Sequence, residues 1–121
     1  MTDAALFIRW GATQAGRERN SVQLFGESLK FLTRLIEQGR VASVEPFFLE
    51  PHGSDLDGFF VVRGDLQELN KIRGEEEFQR LATRAQVVVQ GFGVIGAITG
   101  ERLNQHMRWF AEAAKEIDAR P

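Results

Sequence analysis

The sequence predicts one α+β domain whose elements follow the order β-α-β-β-α-β-α. Its 121 residues match the usual size of a single domain, here 1–121, and no repeat or linker divides them. Helical periodicity in segments 20–38 and 65–82 alternates with runs of β-forming residues, and the turn-rich segment 51–57 joins two of those runs as a hairpin. Two split βαβ units of this kind form a ferredoxin-like sandwich, a four-stranded antiparallel sheet with helices on one face, here followed by a C-terminal helix.

The first strand and the first helix have distinct local patterns. Segment 5–11 is rich in β-formers and ends at a polar loop, which predicts a strand. Asn20 with Gln23 predicts a capping box at the start of the helix, and Gly39 predicts its end. The apolar residues that recur at helical spacing are Val22, Phe25, Leu29, Leu32 and Ile36.

The next two strands are predicted at 41–50 and 58–63, on either side of the connector. A second helical segment follows, in which Asp65 is the predicted cap and Glu68 completes the capping box. Gly74 is expected to break this helix, because glycine inside a helix costs more backbone entropy than other residues.

Segment 86–99 predicts a long fourth strand because it is rich in valine and isoleucine. The last helix is predicted from apolar residues at alternating spacings of four and three. These residues are Leu103, Met107, Phe110, Ala114 and Ile117.

Alternation along the strands divides the predicted sheet into two different faces. The hairpin is predicted to pair Glu50 near Gly58, and Glu45 then lies opposite Arg63 as a cross-strand ion pair. One face is purely apolar and is expected to pack under the helices. The other, open face mixes aromatic and charged residues, and because apolar patches mark interaction sites, we expect it to be covered and to bind a ligand. Its candidate ligand-binding residues are Phe7, Arg9, Glu45, Phe47, Phe59, Arg63, Gln90 and Phe92.

The composition excludes several classes of protein. With no cysteine, the chain has neither thiol catalysis, cysteine-ligated zinc nor disulfides. Fifteen basic and seventeen acidic residues give a net charge of −2 with interspersed signs, which disfavours nucleic acid as a partner. The longest apolar stretch, 87–98, is too short to span a membrane, and the amino terminus lacks a basic signal region. We therefore expect a cytoplasmic protein with no membrane partner.

Two sequence motifs suggest ligands that their context disfavours. The run Gly91-Phe-Gly-Val-Ile-Gly96 has the glycine spacing of a dinucleotide-binding loop, but it prolongs a predicted strand and too little chain follows for another crossover. Segments 6–8 and 58–61 are similar to the RNA-contacting strands of RNA-recognition domains, but Asp57 stands where those need a basic residue. The glycines are expected to permit a bulge or a close approach instead, and no cofactor is predicted.

The two histidines do not indicate a metal or a catalytic site. His52 lies in the turn-rich connector, and His106 lies on the last helix beside an aromatic pair. Neither has a second metal ligand at a useful spacing, and no serine-histidine-aspartate pattern is present. No metal is predicted, and the roles of both histidines stay open.

The chain resembles the dimeric α/β-barrel superfamily, and within it most resembles the YCII-related proteins. The similar stretch runs from Phe7 to about Val94 and includes segments 31–40 and 57–62. The resemblance implies that two protomers join their open sheet faces into a barrel, often around a small-molecule cavity. Relatives include cofactor-independent oxygenases, lactone isomerases, dehydratases and haem-binding enzymes, so the resemblance chooses no reaction.

The resemblance does not supply a catalytic pair. YCII-type proteins suggest a histidine-aspartate pair with one member early in the first helix, where this chain has Asn20, Gln23 and Glu27. No pair is therefore transferred, and whether the protein is an enzyme stays open.

Three hypotheses for function follow. The first is a homodimer that binds a small, partly apolar or anionic metabolite in the barrel cavity through Arg9 or Arg63, with or without cofactor-independent catalysis. The second is a noncatalytic assembly module in which the open face is only a dimer interface. The third is RNA binding, which predicts a monomer whose binding depends steeply on salt.

Overall fold

A computed structural model describes residues 2–119, and the elements within this range have the predicted order, with the second helical segment divided in two. The sheet has the strand order β2-β3-β1-β4, and the registered pairs are antiparallel. This arrangement confirms the α+β ferredoxin-like fold. The elements are β1 (Ala4–Trp10), α1 (Glu18–Glu37), β2 (Ser43–Phe48), β3 (Gly58–Gly64), α2 (Leu66–Arg73), α3 (Glu76–Val88), β4 (Gly93–Ile98) and α4 (Gly100–Asp118).

The hydrophobic core lies between one face of the sheet and the helices α1, α2 and α3. Alternate residues of β1 and β3 supply the sheet side, as the period-two pattern predicts. The buried residues of this layer are Ala4, Leu6, Ile8, Phe60 and Val62 from the sheet, Phe31, Leu32, Leu35, Leu69, Ile72 and Phe78 from the helices, and Val41 from the segment before β2. Among residues 2–119, no helix has both the length and the hydropathy that crossing a membrane requires.

The predicted fourth strand over 86–99 is wrong in its first half. α3 continues to Val88, and β4 begins only at Gly93. The valines at 87–89 have high β propensity, but Phe78, Ala85 and Val88 are buried at spacings that fit a helix. Tertiary burial of the helical stripe therefore outweighs the local β preference.

The helix caps agree with the sequence in part. The carboxylate of Asp65 accepts a hydrogen bond from the Glu68 amide, as predicted. The Glu68 side chain does not complete a capping box, because it accepts a hydrogen bond from Arg40. The prediction that Asn20 caps α1 is wrong, since the helix begins at Glu18 and no side chain caps it. Gly39, at a φ of +71°, ends α1 as predicted.

The hairpin register differs from the prediction by two residues. Phe48, not Glu50, pairs with Gly58, and Glu45 therefore lies opposite Val61. Because side chains alternate with a period of two, a shift of two residues keeps each side chain on its predicted face. The assignment of β2 and β3 residues to the two faces consequently survives the register error.

An Arg40-centred ion cluster joins the end of α1 to α2 and α3. Arg40 donates from Nε to Glu68 at 2.6 Å, and from Nη1 and Nη2 to the two carboxylate oxygens of Glu75 at 2.9 and 2.8 Å. Hydrogen bonds from Arg40 hold the pKa of the Glu75 carboxyl below its ordinary value. A carboxyl with a lowered pKa stabilises the fold above its unfolded pKa of about 4.3, and that contribution is lost as the pH falls through the folded pKa.

We expect Glu75→Gln to reduce the loss of stability in acid. The free energy of unfolding should decline less between about pH 7 and about pH 3 in this variant than in the wild type, because the variant has no carboxyl to protonate at this position. Urea denaturation across that range measures the difference. Glu76→Gln is the matched control, since Glu76 is exposed and lies 3.7 Å from Arg80. Equal declines in Glu75→Gln and the wild type would contradict the prediction.

Candidate functional site

The open face of the sheet, opposite the helices, carries exposed apolar side chains in the middle of the protomer. One row across it runs from Glu45 through Val61 and Phe7 to Ile95. A neighbouring row contains Phe47, Phe59 and Arg9. The Phe59 ring lies 4.7 Å from that of Phe7 and 4.8 Å from that of Phe47, and half of Ile95 is exposed. No element within the described part of the chain covers this apolar surface.

Arg9 lies at one end of this face, beside the loop that joins β2 to β3. Its Nη2 donates to the backbone carbonyl of Asp55 at 2.7 Å, and the Asp55 carboxylate is 3.9 Å away. The side chain passes over Gly93, where a Cβ would lie 3.5 Å from Arg9 Cγ. The Arg9 Nε is buried and has no hydrogen-bond partner among residues 2–119. A buried N–H without a partner is unfavourable, which makes Arg9 an unusual residue of this face.

The structure brings six of the eight predicted residues together on the open face. These are Phe7, Arg9, Glu45, Phe47, Phe59 and Arg63. Arg63 and Glu45 are diagonal neighbours whose Nε and carboxylate oxygen are 3.9 Å apart, and both are exposed. Such a pair contributes little to stability.

The placement of Phe92 and Gln90 on the open face is wrong. Phe92 packs against the core on the helix side, and Gln90 lies in the loop between α3 and β4. Both errors follow from the misplaced start of the fourth strand. For the same reason Ile95, which lies on the open face, was not among the predicted residues of that face. The backbone carbonyl of Gln90 accepts a hydrogen bond from the Gly11 amide at 2.7 Å, which fixes this loop near the Arg9 end of the sheet.

A second site, which we call the interlayer pocket, lies on the opposite side of the sheet between α1, α3 and the strands. It has a volume of about 350 Å³. Such a volume falls in the range of small-molecule sites. Its lining residues are Ile8, Trp10, Ser21, Val22, Leu24, Phe25, Ser28, Phe31, Leu32, Phe48, Phe60, Phe78, Leu81, Ala82, Ala85, Val89 and Phe92.

Aromatic rings form one wall of the interlayer pocket. The Trp10 ring lies 5.2 Å from that of Phe60, and Phe25 stacks on Phe60 at 5.4 Å. Phe48 joins them at 4.9 Å from Phe25. Phe48 and Val22 are 70% and 76% exposed, so they mark the mouth of the pocket.

Two ion pairs join the helices that cover the pocket. Arg84 of α3 donates a hydrogen bond to the Glu27 carboxylate of α1, and this contact lowers the pKa of that carboxyl. Arg34 and Glu77 form a second pair at 2.7 Å. These contacts link α1 to α3 while leaving the volume beneath them unfilled.

The lining has few polar groups. Ser21 and Ser28 supply hydroxyls, and Ser21 Oγ already accepts a hydrogen bond from Thr13 at 3.0 Å. No ionisable side chain among the described residues lines the pocket. It can therefore hold and shield a neutral apolar molecule, while acid-base groups would have to come from elsewhere.

The histidines lie away from the pocket lining. His52 Nε2 is 2.8 Å from the Leu56 carbonyl oxygen in the hairpin loop, and the His106 ring lies 4.9 Å from that of Trp109 on α4. Within 2–119, no three histidine or acidic side chains are grouped closely enough to hold a metal ion.

Comparison with known proteins identifies the fold class of the chain but no family within that class. The sequence matches no family model and no curated protein. A dimeric protein of unknown function and ferredoxin-like fold from Bacteroides fragilis NCTC 9343 has a TM-score of 0.57 at 8% identity, and the match covers 79% of this chain and 96% of that one.

Two further structures share the fold. A Nitrosomonas europaea protein of unknown function has a TM-score of 0.59 at 15% identity, with 82% of this chain and 90% of that one covered. SnoaB, a cofactor-independent oxygenase from Streptomyces nogalater, has a TM-score of 0.50 at 11% identity, with 81% and 92% covered. At such identities the likeness concerns the fold alone.

Proposed function

We propose that this protein is a homodimer, joined through its open sheet face, that binds a small, neutral and largely apolar molecule in the interlayer pocket of each protomer. The observation that carries the proposal is the pocket itself, about 350 Å³ of space walled by aromatic and aliphatic side chains. Protein interiors are otherwise close-packed, and an apolar cavity stays dry and accepts apolar ligands.

The lining restricts the class of ligand. A charged ligand would lose its hydration without gaining an opposite charge, because no ionisable group among the described residues lines the pocket. The Trp10 and Phe25 rings favour a flat aromatic molecule, since rings attract one another by stacking and edge contacts. Ser28 offers one hydroxyl for a ligand oxygen.

The homodimer is supported by the apolar character of the open face and by the dimeric Bacteroides neighbour of the same fold. Joined faces would remove the rings of Phe7, Phe47 and Phe59 from water, which is the main favourable term in association.

The relation to YCII-related proteins, suggested by segments 31–40 and 57–62, belongs to the same proposal. An enzyme of the cofactor-independent kind, like the oxygenase neighbour, belongs to the same proposal, with acid-base groups supplied from outside the pocket lining.

A second candidate site is Arg9 on the open face. Its guanidinium is partly exposed and lies 3.9 Å from the Asp55 carboxylate, and its positive charge favours an anionic ligand enclosed between the joined faces. The aromatic walls there are Phe7, Phe47 and Phe59, so that ligand would be partly apolar as well.

The two sites can be separated with a matched pair of ligands. Nitrobenzene is neutral and nitrobenzoate is anionic, and both quench tryptophan fluorescence on contact. The chain has two tryptophans and no tyrosine, so Trp109→Phe leaves Trp10 in the pocket wall as the one fluorophore. We expect saturable quenching by nitrobenzene in this background.

Filling the pocket should abolish that binding. Ala82→Phe places a ring inside the pocket and should weaken nitrobenzene binding at least about tenfold, roughly 1.4 kcal/mol. Thr83→Phe is the matched control, because the neighbouring Thr83 is exposed on α3 and lies outside the lining. Ser28→Leu fills the pocket from α1 and serves if Ala82→Phe fails to fold.

The outcomes are distinct for each site. Equal affinity of Ala82→Phe and Thr83→Phe would overturn the pocket proposal. Nitrobenzoate binding that is lost in Arg9→Met, measured by calorimetry, would support the second site. Binding of neither ligand would leave the assembly module as the better account of the open face.

A further inference from the structure

Helix α4 exposes an apolar stripe that no described element of its own protomer buries. None of its described residues is buried, and Phe110 and Ile117 are 72% and 65% exposed. Large apolar side chains in a row of this kind mark an interaction surface. The stripe consists of Leu103, Met107, Phe110, Ala114 and Ile117.

The start of α4 is fixed, so the stripe is held in a defined position. Asp3, which is buried, accepts hydrogen bonds from Arg102 Nε at 3.0 Å and from the Leu66 amide at 3.2 Å. These contacts keep the pKa of the Asp3 carboxyl below its ordinary value. The Thr99 amide donates to the Asp3 carbonyl at 3.0 Å, which ties the junction of β4 and α4 to β1. The helix therefore leaves the sheet at a fixed point.

The order of residues along the stripe is close to symmetric about Phe110. In an antiparallel pair of identical helices centred there, Phe110 meets its own copy and Leu103 meets Ile117. Met107, three residues before Phe110, comes nearly level with Ala114, four residues after it, which places a large side chain against a small one. Alternating spacings of four and three keep such a stripe along the seam of two packed helices. The pattern is thus complementary to itself in an antiparallel arrangement.

Charge also favours a second copy as the partner. The positions that flank the stripe are mostly uncharged, and they are Asn104, His106, Ala111, Ala113 and Asp118. An axis at Phe110 places Asp118 level with Arg102 of the second copy, so no two like charges meet along the seam. The charged residues of the middle of the helix lie on the outer side, which an isologous contact leaves in water. These are Arg108, Glu112 and Lys115.

We propose that α4 pairs antiparallel with α4 of a second copy of this chain, with the twofold axis at Phe110. The pairing is independent of the interlayer pocket, because no α4 residue lines it. A five-layer helix seam is short, so it adds to the sheet-face contact in holding copies together and is not sufficient alone.

Single cysteines test this arrangement directly, since the chain has none of its own. We expect Phe110→Cys to form an intermolecular disulfide in dilute protein at least about tenfold faster than Glu112→Cys, whose side chain lies on the outer side of the same helix. Nonreducing electrophoresis over time measures both rates. Both positions are exposed, so neither change disturbs the core.

Mixed variants determine the direction of the pair. Leu103→Cys mixed with Ile117→Cys should crosslink faster than either variant alone, because antiparallel helices bring residues 103 and 117 together. Faster crosslinking of each variant with itself would indicate parallel helices and overturn the proposal. Equal rates for Phe110→Cys and Glu112→Cys would also overturn it.

Failure of this proposal is distinguishable from failure of the proposed function. Nitrobenzene binding to the interlayer pocket should be unchanged in the Phe110→Cys protein, whether crosslinked or reduced. Met107→Glu should raise the protein concentration at which the assembly dissociates, without changing that binding. A dissociation concentration unchanged in Met107→Glu would contradict the α4 pairing even if the pocket binds as proposed.

Discussion

Gly58→Ala should destabilise the protein by about 3 kcal/mol or more, because the added methyl group has no space. A Cβ at Gly58 would lie 2.5 Å from Trp10 Cζ2 and 2.6 Å from the carbonyl oxygen of Phe47. The Phe47 oxygen belongs to the paired strand β2, and the Trp10 ring packs against Phe25 and Phe60. Neither neighbour can move without disturbing the hairpin or the aromatic wall of the pocket.

Gly26→Ala is the matched control for this substitution. Gly26 lies inside α1, and no atom lies within 4 Å of its added Cβ. Alanine has the higher helix propensity, so this variant should be stabilised by about 0.5 to 1 kcal/mol. Urea denaturation followed by circular dichroism measures both variants. A Gly58→Ala protein within about 1 kcal/mol of the wild type would show that the hairpin yields more easily than its geometry indicates.

Trp10→Ala should cost about 3 to 5 kcal/mol of stability, as large aromatic truncations in a core do. Trp10 contacts three rings, with centroids at 5.2 Å for Phe60, 5.9 Å for Phe48 and 6.1 Å for Phe25. Removing it leaves a cavity joined to the interlayer pocket, so nitrobenzene should also bind more weakly. Circular dichroism and calorimetry measure the two effects, since the substitution removes the pocket fluorophore.

Trp10→Phe separates packing from the loss of an aromatic wall. It keeps a ring between Phe25 and Phe60 and should retain most of the stability and some affinity. Trp109→Ala is the exposed control and should change stability by less than about 0.5 kcal/mol. Equal stability of Trp10→Ala and Trp109→Ala would contradict the central position assigned to Trp10.

Much of the fold was predictable because local patterns and tertiary burial agree. Period-two alternation in β1 and β3 placed Leu6 and Phe60 under the helices and Phe7 and Phe59 on the open face. The cap at Asp65 was also predictable from the sequence, since a capping carboxylate needs only an amide three residues away. These signals lie within a few residues of one another along the chain.

The candidate site was harder to predict, because its position depends on contacts between distant segments. The valines before Gly93 favour a strand by composition, whereas burial against α1 makes residues 85 and 88 part of a helix. That one error moved Phe92 to the wrong face and left Ile95 off the open surface. The pattern of alternation gives two sets of residues but does not say which set faces the core. A shift of the strand by an odd number of residues moves every side chain to the opposite face of the sheet.

The sequence by itself determined the α+β order, the absence of cysteine chemistry, the two faces of the central strands and the apolar stripe of α4. Only the tertiary structure decided that a pocket opens between the sheet and the helices and that, among residues 2–119, Arg9 Nε is buried without a partner and no element covers α4. The physical reason is that periodicity records which way a side chain points. A cavity or an unpaired atom depends instead on how completely distant side chains fill the space between packed layers.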